Sequence, residues 1–281
     1  MLRLSLCGLV AIPLGLAAWV GLVRAGVLAN PWAPHASGDL ALARGTRPGL
    51  RVLFVGNSLT FENHMPELVH QLAAGDPGAP PVYAVWYTAP GWTLAGASQD
   101  SGLASLIGQV DWNEVVLQEQ SQMLSMPPSS WERTTAPAAR LLQRRIQAAG
   151  AQTILFETWG YRAGDRRLVP GDDYLRMQTR LVDGYTGLAT ELGARVAPVG
   201  MAWWLEHTYH PQVGLWAGDG VHPTAAGSYL AACVLYAELT GRSPASSSFT
   251  GGLAPLQADI IKRLAWSAVN SWGSSGGSGS P

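Results

Sequence analysis

The chain has 281 residues, enough for one large domain or two small ones with a sizeable buried core. Apolar residues make up 47% and charged residues 13%, which excludes a disordered chain and fits a globular domain carrying an apolar segment. The net charge is −1, with scattered arginines and a single lysine, Lys262, so no basic patch marks a nucleic-acid partner; two cysteines, Cys7 and Cys233, exclude a disulfide framework and a cysteine-based zinc site.

The first element in chain order is an uncharged run, residues 4–23, "LSLCGLVAIPLGLAAWVGLV", between Arg3 and Arg24. As a helix it would span about 30 Å, the thickness of a bilayer's hydrocarbon core. Small residues at 27–29, "VLA", suit a signal-peptide cleavage site. Residues 1–29 are therefore read as a secretory signal peptide or, if uncleaved, an anchor touching the membrane through residues 4–23. Both readings make the protein secreted or held on the outer side of the cytoplasmic membrane. Residues 30–49, rich in Pro, Gly and Ala without periodicity, read as a linker. Residues 272–281, "WGSSGGSGSP", read as a flexible tail.

Between linker and tail, residues 50–271 alternate two kinds of pattern. Short β-rich runs occupy 51–55, 82–87, 114–117, 153–156 and 195–199, and helical patterns occupy 64–73, 131–149, 174–192, 224–240 and 256–269. Strands separated by helices predict right-handed crossovers and a parallel sheet with helices on both faces. Ligands in such sheets sit at the carboxyl ends of the strands.

Chemistry-bearing residues gather at those ends. "FVGNSLT" places Ser58 two residues after the first strand, as a helix cap or as a nucleophile. A serine hydroxyl needs a base to take its proton, and the base needs a carboxylate to fix its tautomer. Of six histidines, His222 has the fitting context: "AGDGVHPTAAGSYLAA" follows the fifth strand, and Asp219 precedes His222 by three residues. His64 is the rival, close to Ser58 but on the following helix, while His207 and His210 with Glu206 specify no third metal ligand. Donors for a developing oxyanion have three candidates: the Ser58 N–H at a helix start, the Gly91 N–H in "YTAPGWTLAG", and an amide from Gln118 or Gln120 in "VVLQEQSQ".

These blocks resemble the SGNH branch of the GDSL hydrolases. "FVGNSLT" resembles its Ser block, with Asn57 where Asp is commoner; "APGWT" resembles its Gly block; "DGVHPTAAGSYLAA" resembles its Asp-x-x-His block. The third block departs, with Gln118-Glu119-Gln120-Ser121 in place of Gly-x-Asn-Asp, and alignment of strand ends sets Gln120 where Asn would stand. The resemblance covers about residues 50–242. It implies a flavodoxin-like three-layer α/β/α sandwich with a five-stranded parallel sheet, and a Ser58-His222-Asp219 triad. It also implies an oxyanion hole from Ser58, Gly91 and Gln120 (or Gln118), and ester hydrolysis through an acyl-enzyme with no metal and no organic cofactor. Trp92, Trp159, Trp203 and Trp216 cluster near the blocks and are read as substrate-binding. The substrate expected is a small acyl ester, such as acetyl, on an extracellular carbohydrate or similar polar molecule. An O-acyltransferase using the same triad and a non-catalytic carbohydrate-binding relative are the alternatives.

Overall fold

Each β-rich run is apolar at successive positions, so its side chains need cover on both faces of a sheet. The computed structural model, which describes residues 33–274, provides that cover. Residues 1–29 and most of the expected tail lie outside the described residues. In chain order the elements are β1 (His35–Gly38), α1 (Leu40–Ala43), β2 (Leu50–Gly56), α2 (Ser58–Phe61), α3 (Met65–Ala74) and β3 (Val82–Thr88). There follow α4 (Leu94–Gln99), α5 (Ser101–Gln109), β4 (Glu114–Leu117), α6 (Pro128–Ala148), β5 (Gln152–Glu157) and α7 (Tyr174–Leu192). The chain closes with β6 (Arg195–Pro198), α8 (Val199–Tyr209), α9 (Ala225–Thr240) and α10 (Pro255–Ser274).

The sheet order is β1-β3-β2-β4-β5-β6. Val52 and Phe54 of β2 join one core layer with α3, α8, α9 and α10, while Leu53 and Val55 join the opposite layer with α4 to α7. A period of two thus feeds both layers of an α/β/α sandwich. Helix α9 is apolar around its circumference and buried over nearly its whole length, as a helix with neighbours on all sides must be. Within the parallel strands, β2 lies between β3 and β4, and the crossovers leave it in opposite directions. In open α/β sheets ligands bind at such a switch point, beyond the carboxyl ends of the strands, here β2 and β4.

The sheet has six strands, not five. The sixth, β1, runs antiparallel to β3, with His35 opposite Thr88 and Gly38 opposite Val85. It lies inside the segment read as linker, and α1 follows it, so that segment is in part built into the domain. The sequence "HASG" is mostly exposed and carries no apolar alternation, because an edge strand can be held by backbone hydrogen bonds alone. Helices α4, α5 and α8 are additional to the predicted set, although Leu103, Leu106 and Ile107 give α5 a helical period over its nine residues. The caps of the first two were legible, with Thr93 accepting from the Gly96 N–H and Asp100 accepting from the Leu103 N–H.

Glu157 closes β5 fully buried, accepting from Gln178 Nε2 at 2.5 Å and from the Met201 N–H at 3.1 Å. Burial pushes its carboxyl up to about 8, against the hydrogen bonds from Met201, Gly200 and Gln178 that pull it down. The folded state therefore keeps a proton that the unfolded chain releases at an ordinary carboxyl value, and stability falls as pH rises through that window. Above about pH 8 this contribution is flat. Glu157→Gln is expected to remove up to about 1.4 kcal/mol per pH unit of that slope, read from urea denaturation between pH 5 and pH 8.

Candidate active site

At the end of β2 the chain turns through Gly56 and Asn57 before α2 begins at Ser58. A Cβ on Gly56 would lie 2.5 Å from both Gln118 Oε1 and Thr60 Oγ1, so only glycine lets those groups approach the turn. The cap of α2 is Asn57, not Ser58: its side-chain oxygen accepts from the Leu59 N–H at 3.2 Å. The asparagine also donates through Nδ2 to Trp92 O at 2.9 Å, tying the turn to the loop after β3. With the capping duty taken by its neighbour, the Ser58 hydroxyl faces His222 Nε2 at 3.0 Å.

His222 continues the chain of contacts. Its Nδ1, when protonated, donates to Asp219 Oδ2 at 2.5 Å. The other carboxylate oxygen accepts from the Val221 and His222 N–H groups at 2.9 and 3.0 Å, which closes the Asp-Gly turn around Gly220. Partial burial pushes the Asp219 carboxyl up, but the hydrogen bonds from the His222 ring, Val221 and His222 outweigh it and hold the group at about 2. The carboxylate is charged throughout the neutral range. The loop itself is pinned: Trp159 Nε1 donates to Val221 O at 2.9 Å and the Ala217 N–H donates to His222 O at 2.8 Å.

Two backbone donors near Ser58 have no acceptor among the described residues, the N–H groups of Ser58 and Gly91. Gly91 is exposed at φ 62°, and a Cβ there would meet nothing within 4 Å, so its backbone stands open.

The same arrangement of strands and helices occurs in solved structures. A protein from Slackia heliotrinireducens described as an SGNH hydrolase is 32% identical, with a TM-score of 0.56 over 68% of this chain and 98% of that one. The chain belongs to the SGNH hydrolase family. A DUF4886 family protein from Bacteroides uniformis shares the fold at 18% identity, with a TM-score of 0.66 over 79% of this chain and 95% of its own. So does a protein from Parabacteroides merdae described as a GDSL-like lipase, at 16% identity and a TM-score of 0.53 over 70% and 98% of the two chains. No protein-family profile and no curated protein matches the sequence.

In this SGNH hydrolase both glutamine amides of the third block are engaged within the protein. Gln118 is buried, and its Oε1 accepts from the Asn57 N–H and from Thr60 Oγ1, both at 2.9 Å, while its Nε2 donates to Glu119 O. Gln120 curls onto its own loop, with Oε1 accepting from the Gln122 N–H at 3.0 Å and Nε2 reaching Ser121 Oγ at 3.2 Å. Neither hydrogen-bonds to Ser58 or His222. Gln118 is a strut under the Ser58 turn. Its removal leaves the buried Asn57 N–H without a partner, a loss of about 2 kcal/mol. Gln118→Ala is therefore expected to lower stability by that much in urea denaturation, and Gln120→Ala by no more than about 0.5 kcal/mol.

Glu119, not singled out from the sequence, is buried and fully engaged. It accepts from the Leu94 N–H at 3.0 Å, the Gln120 N–H at 2.6 Å and Thr135 Oγ1 at 2.7 Å, joining the loops after β3 and β4 to α6. Burial pushes its carboxyl up, and these three hydrogen bonds pull it down. The signal that could have found it is a carboxylate two residues past the end of an apolar strand.

The tryptophans divide. Trp159 and Trp203 are fully buried and stack on each other at 4.0 Å between ring centroids, so neither reaches substrate, contrary to the sequence expectation. Their area is spent in the core, as large aromatic side chains commonly are. Trp216 packs edge-on against Trp203, Tyr174 and His207 and donates to Gly160 O at 3.1 Å. It and Trp92, which leans on Tyr87, remain half-buried.

Proposed function

We propose that this SGNH hydrolase is a serine esterase in which Ser58 is the nucleophile, His222 the general base and acid, and Asp219 the group that orients the imidazole. The observation that carries the reading is the unbroken sequence of contacts from Ser58 Oγ through His222 to Asp219 at the carboxyl edge of the sheet. Ser58 Oγ attacks the ester carbonyl carbon as its proton passes to His222 Nε2. The oxyanion that forms accepts from the open N–H groups of Ser58 and Gly91, aided by the amino end of α2. Collapse expels the alcohol, which takes the proton from His222 and leaves an acyl-serine. Water, deprotonated by the same imidazole, then releases the acid.

The substrate class we favour is a small acyl group, such as acetyl, on an extracellular carbohydrate or similar polar molecule. Two half-buried indoles, Trp92 and Trp216, support it, since flat rings suit sugar faces. The apolar run at residues 4–23 supports a location outside the cytoplasmic membrane. The test compares p-nitrophenyl acetate, longer p-nitrophenyl esters and an acetylated oligosaccharide, each with and without a free sugar acceptor. Faster turnover of the acetyl esters with free acetate as product supports the reading. Preference for long chains rejects the substrate class, and acetyl transfer to the added sugar identifies an acyltransferase.

A further inference from the structure

Among the described residues, only Asn63 and His64 combine a side chain with positive φ, both at 53°. They stand consecutively between α2 and α3, a few residues after Ser58. A left-handed backbone is unfavourable for any residue with a Cβ, though asparagine enters it more readily than most. Strain of this kind persists only where surrounding contacts impose it.

The contacts are those of the Asn63 amide. Its Nδ2 donates to Pro223 O at 3.2 Å and to Ser228 Oγ at 2.9 Å, so both of its hydrogens have acceptors. Ser228 is buried on α9, and its hydroxyl in turn donates to Glu62 O at 3.2 Å, clamping the same kink from the other side. Three consecutive carbonyls of the His222 loop are thereby held. Trp159 holds Val221 O, the Ala217 N–H holds His222 O, and Asn63 holds Pro223 O. Of the three anchors, Asn63 alone belongs to the segment that carries Ser58.

We infer that Asn63 is a positioning residue: its left-handed turn aims the amide at Pro223 O and so sets His222 Nε2 opposite Ser58 Oγ. The inference rests on the proposed Ser58-His222-Asp219 relay. A displacement of the base by an ångström or less weakens proton transfer without altering the walls that bind substrate, so the effect falls on kcat rather than KM.

Three variants separate amide from backbone. Asn63→Asp keeps a side chain tolerant of the left-handed region and removes both donor hydrogens. Asn63→Gly frees the backbone and removes the amide entirely, and His64→Gly relaxes the neighbouring residue while leaving the amide in place. Turnover of p-nitrophenyl acetate is measured per reactive Ser58, counted with a fluorophosphonate, so that unfolded protein does not enter. Both Asn63 variants are expected to lose about 10–100-fold in kcat with KM changed less than about twofold, and His64→Gly to match the wild type. Wild-type kcat in either Asn63 variant overturns the inference, as does an equal loss in His64→Gly.

Should the Asn63 variants fail to fold, Ser228→Ala decides, because it leaves the Pro223 contact in place. A lower Tm with kcat near wild type fits the inference; a tenfold or greater fall in kcat assigns the alignment to the α9 contact and overturns it. Retained activity in Ser58→Ala would defeat the relay and this inference together. An inactive Ser58→Ala beside normal Asn63 variants defeats this inference alone.

Discussion

Ser58→Ala is expected to cut kcat/KM for p-nitrophenyl acetate by about 10⁴–10⁶-fold while the protein keeps its fold. The size follows from the mechanism: without Oγ no acyl-enzyme forms, and only the two backbone donors and substrate binding remain. The mildness for stability follows from the local structure. Asn57 caps α2 and Gln118 holds the turn, so the serine hydroxyl carries neither duty, and its loss changes stability by about 0.5 kcal/mol or less. Paired measurements of turnover and urea denaturation check both halves. Retention of a tenth of wild-type activity would remove Ser58 as nucleophile.

His222→Ala is expected to lose activity on the same scale, and His64→Ala to leave it nearly intact. His222 Nε2 is 3.0 Å from Ser58 Oγ, whereas the exposed His64 imidazole makes no hydrogen bond among the described residues. The imidazole can accept the proton of Ser58 only when Nε2 is unprotonated, and Nε2 is the atom that faces the hydroxyl. Asp219, held at about 2, stays charged throughout the neutral range and keeps the imidazole oriented. The rate profiles of both variants test the assignment. A normal profile in His222→Ala with an inactive His64→Ala would reverse it.

Much of this architecture was legible because it is repeated along the chain. Apolar runs such as 52–55 and 153–156 admit little besides buried strands, and the helices between them dictate a parallel sheet. Ser58 and the Asp219-His222 pair were legible by position, since strand ends fix where loops must open. What escaped has a common physical origin. Strand β1 is held by backbone pairing to β3 and needs no side-chain pattern. The directions of Gln118 and Gln120 depend on partners distant in sequence or on the curl of a loop, so the presence of two amides at a strand end did not reveal where they point. Trp159 and Trp203 looked alike with Trp216 in sequence, and only packing separates core from crevice. The φ of Asn63 leaves no trace in composition at all.

The hydrogen bond between Ser58 and His222 joins residues 164 positions apart. One comes from the turn after the domain's first parallel strand, the other from the loop that follows all of them. Loop-closure entropy makes such a contact among the slowest to form. On a ribosome, a chain that has emerged only as far as β6 holds the proposed nucleophile without the proposed base. Hydrolysis by the proposed relay therefore waits on the completed fold, since a fragment ending before residue 222 lacks both His222 and α9, which packs against one face of the sheet.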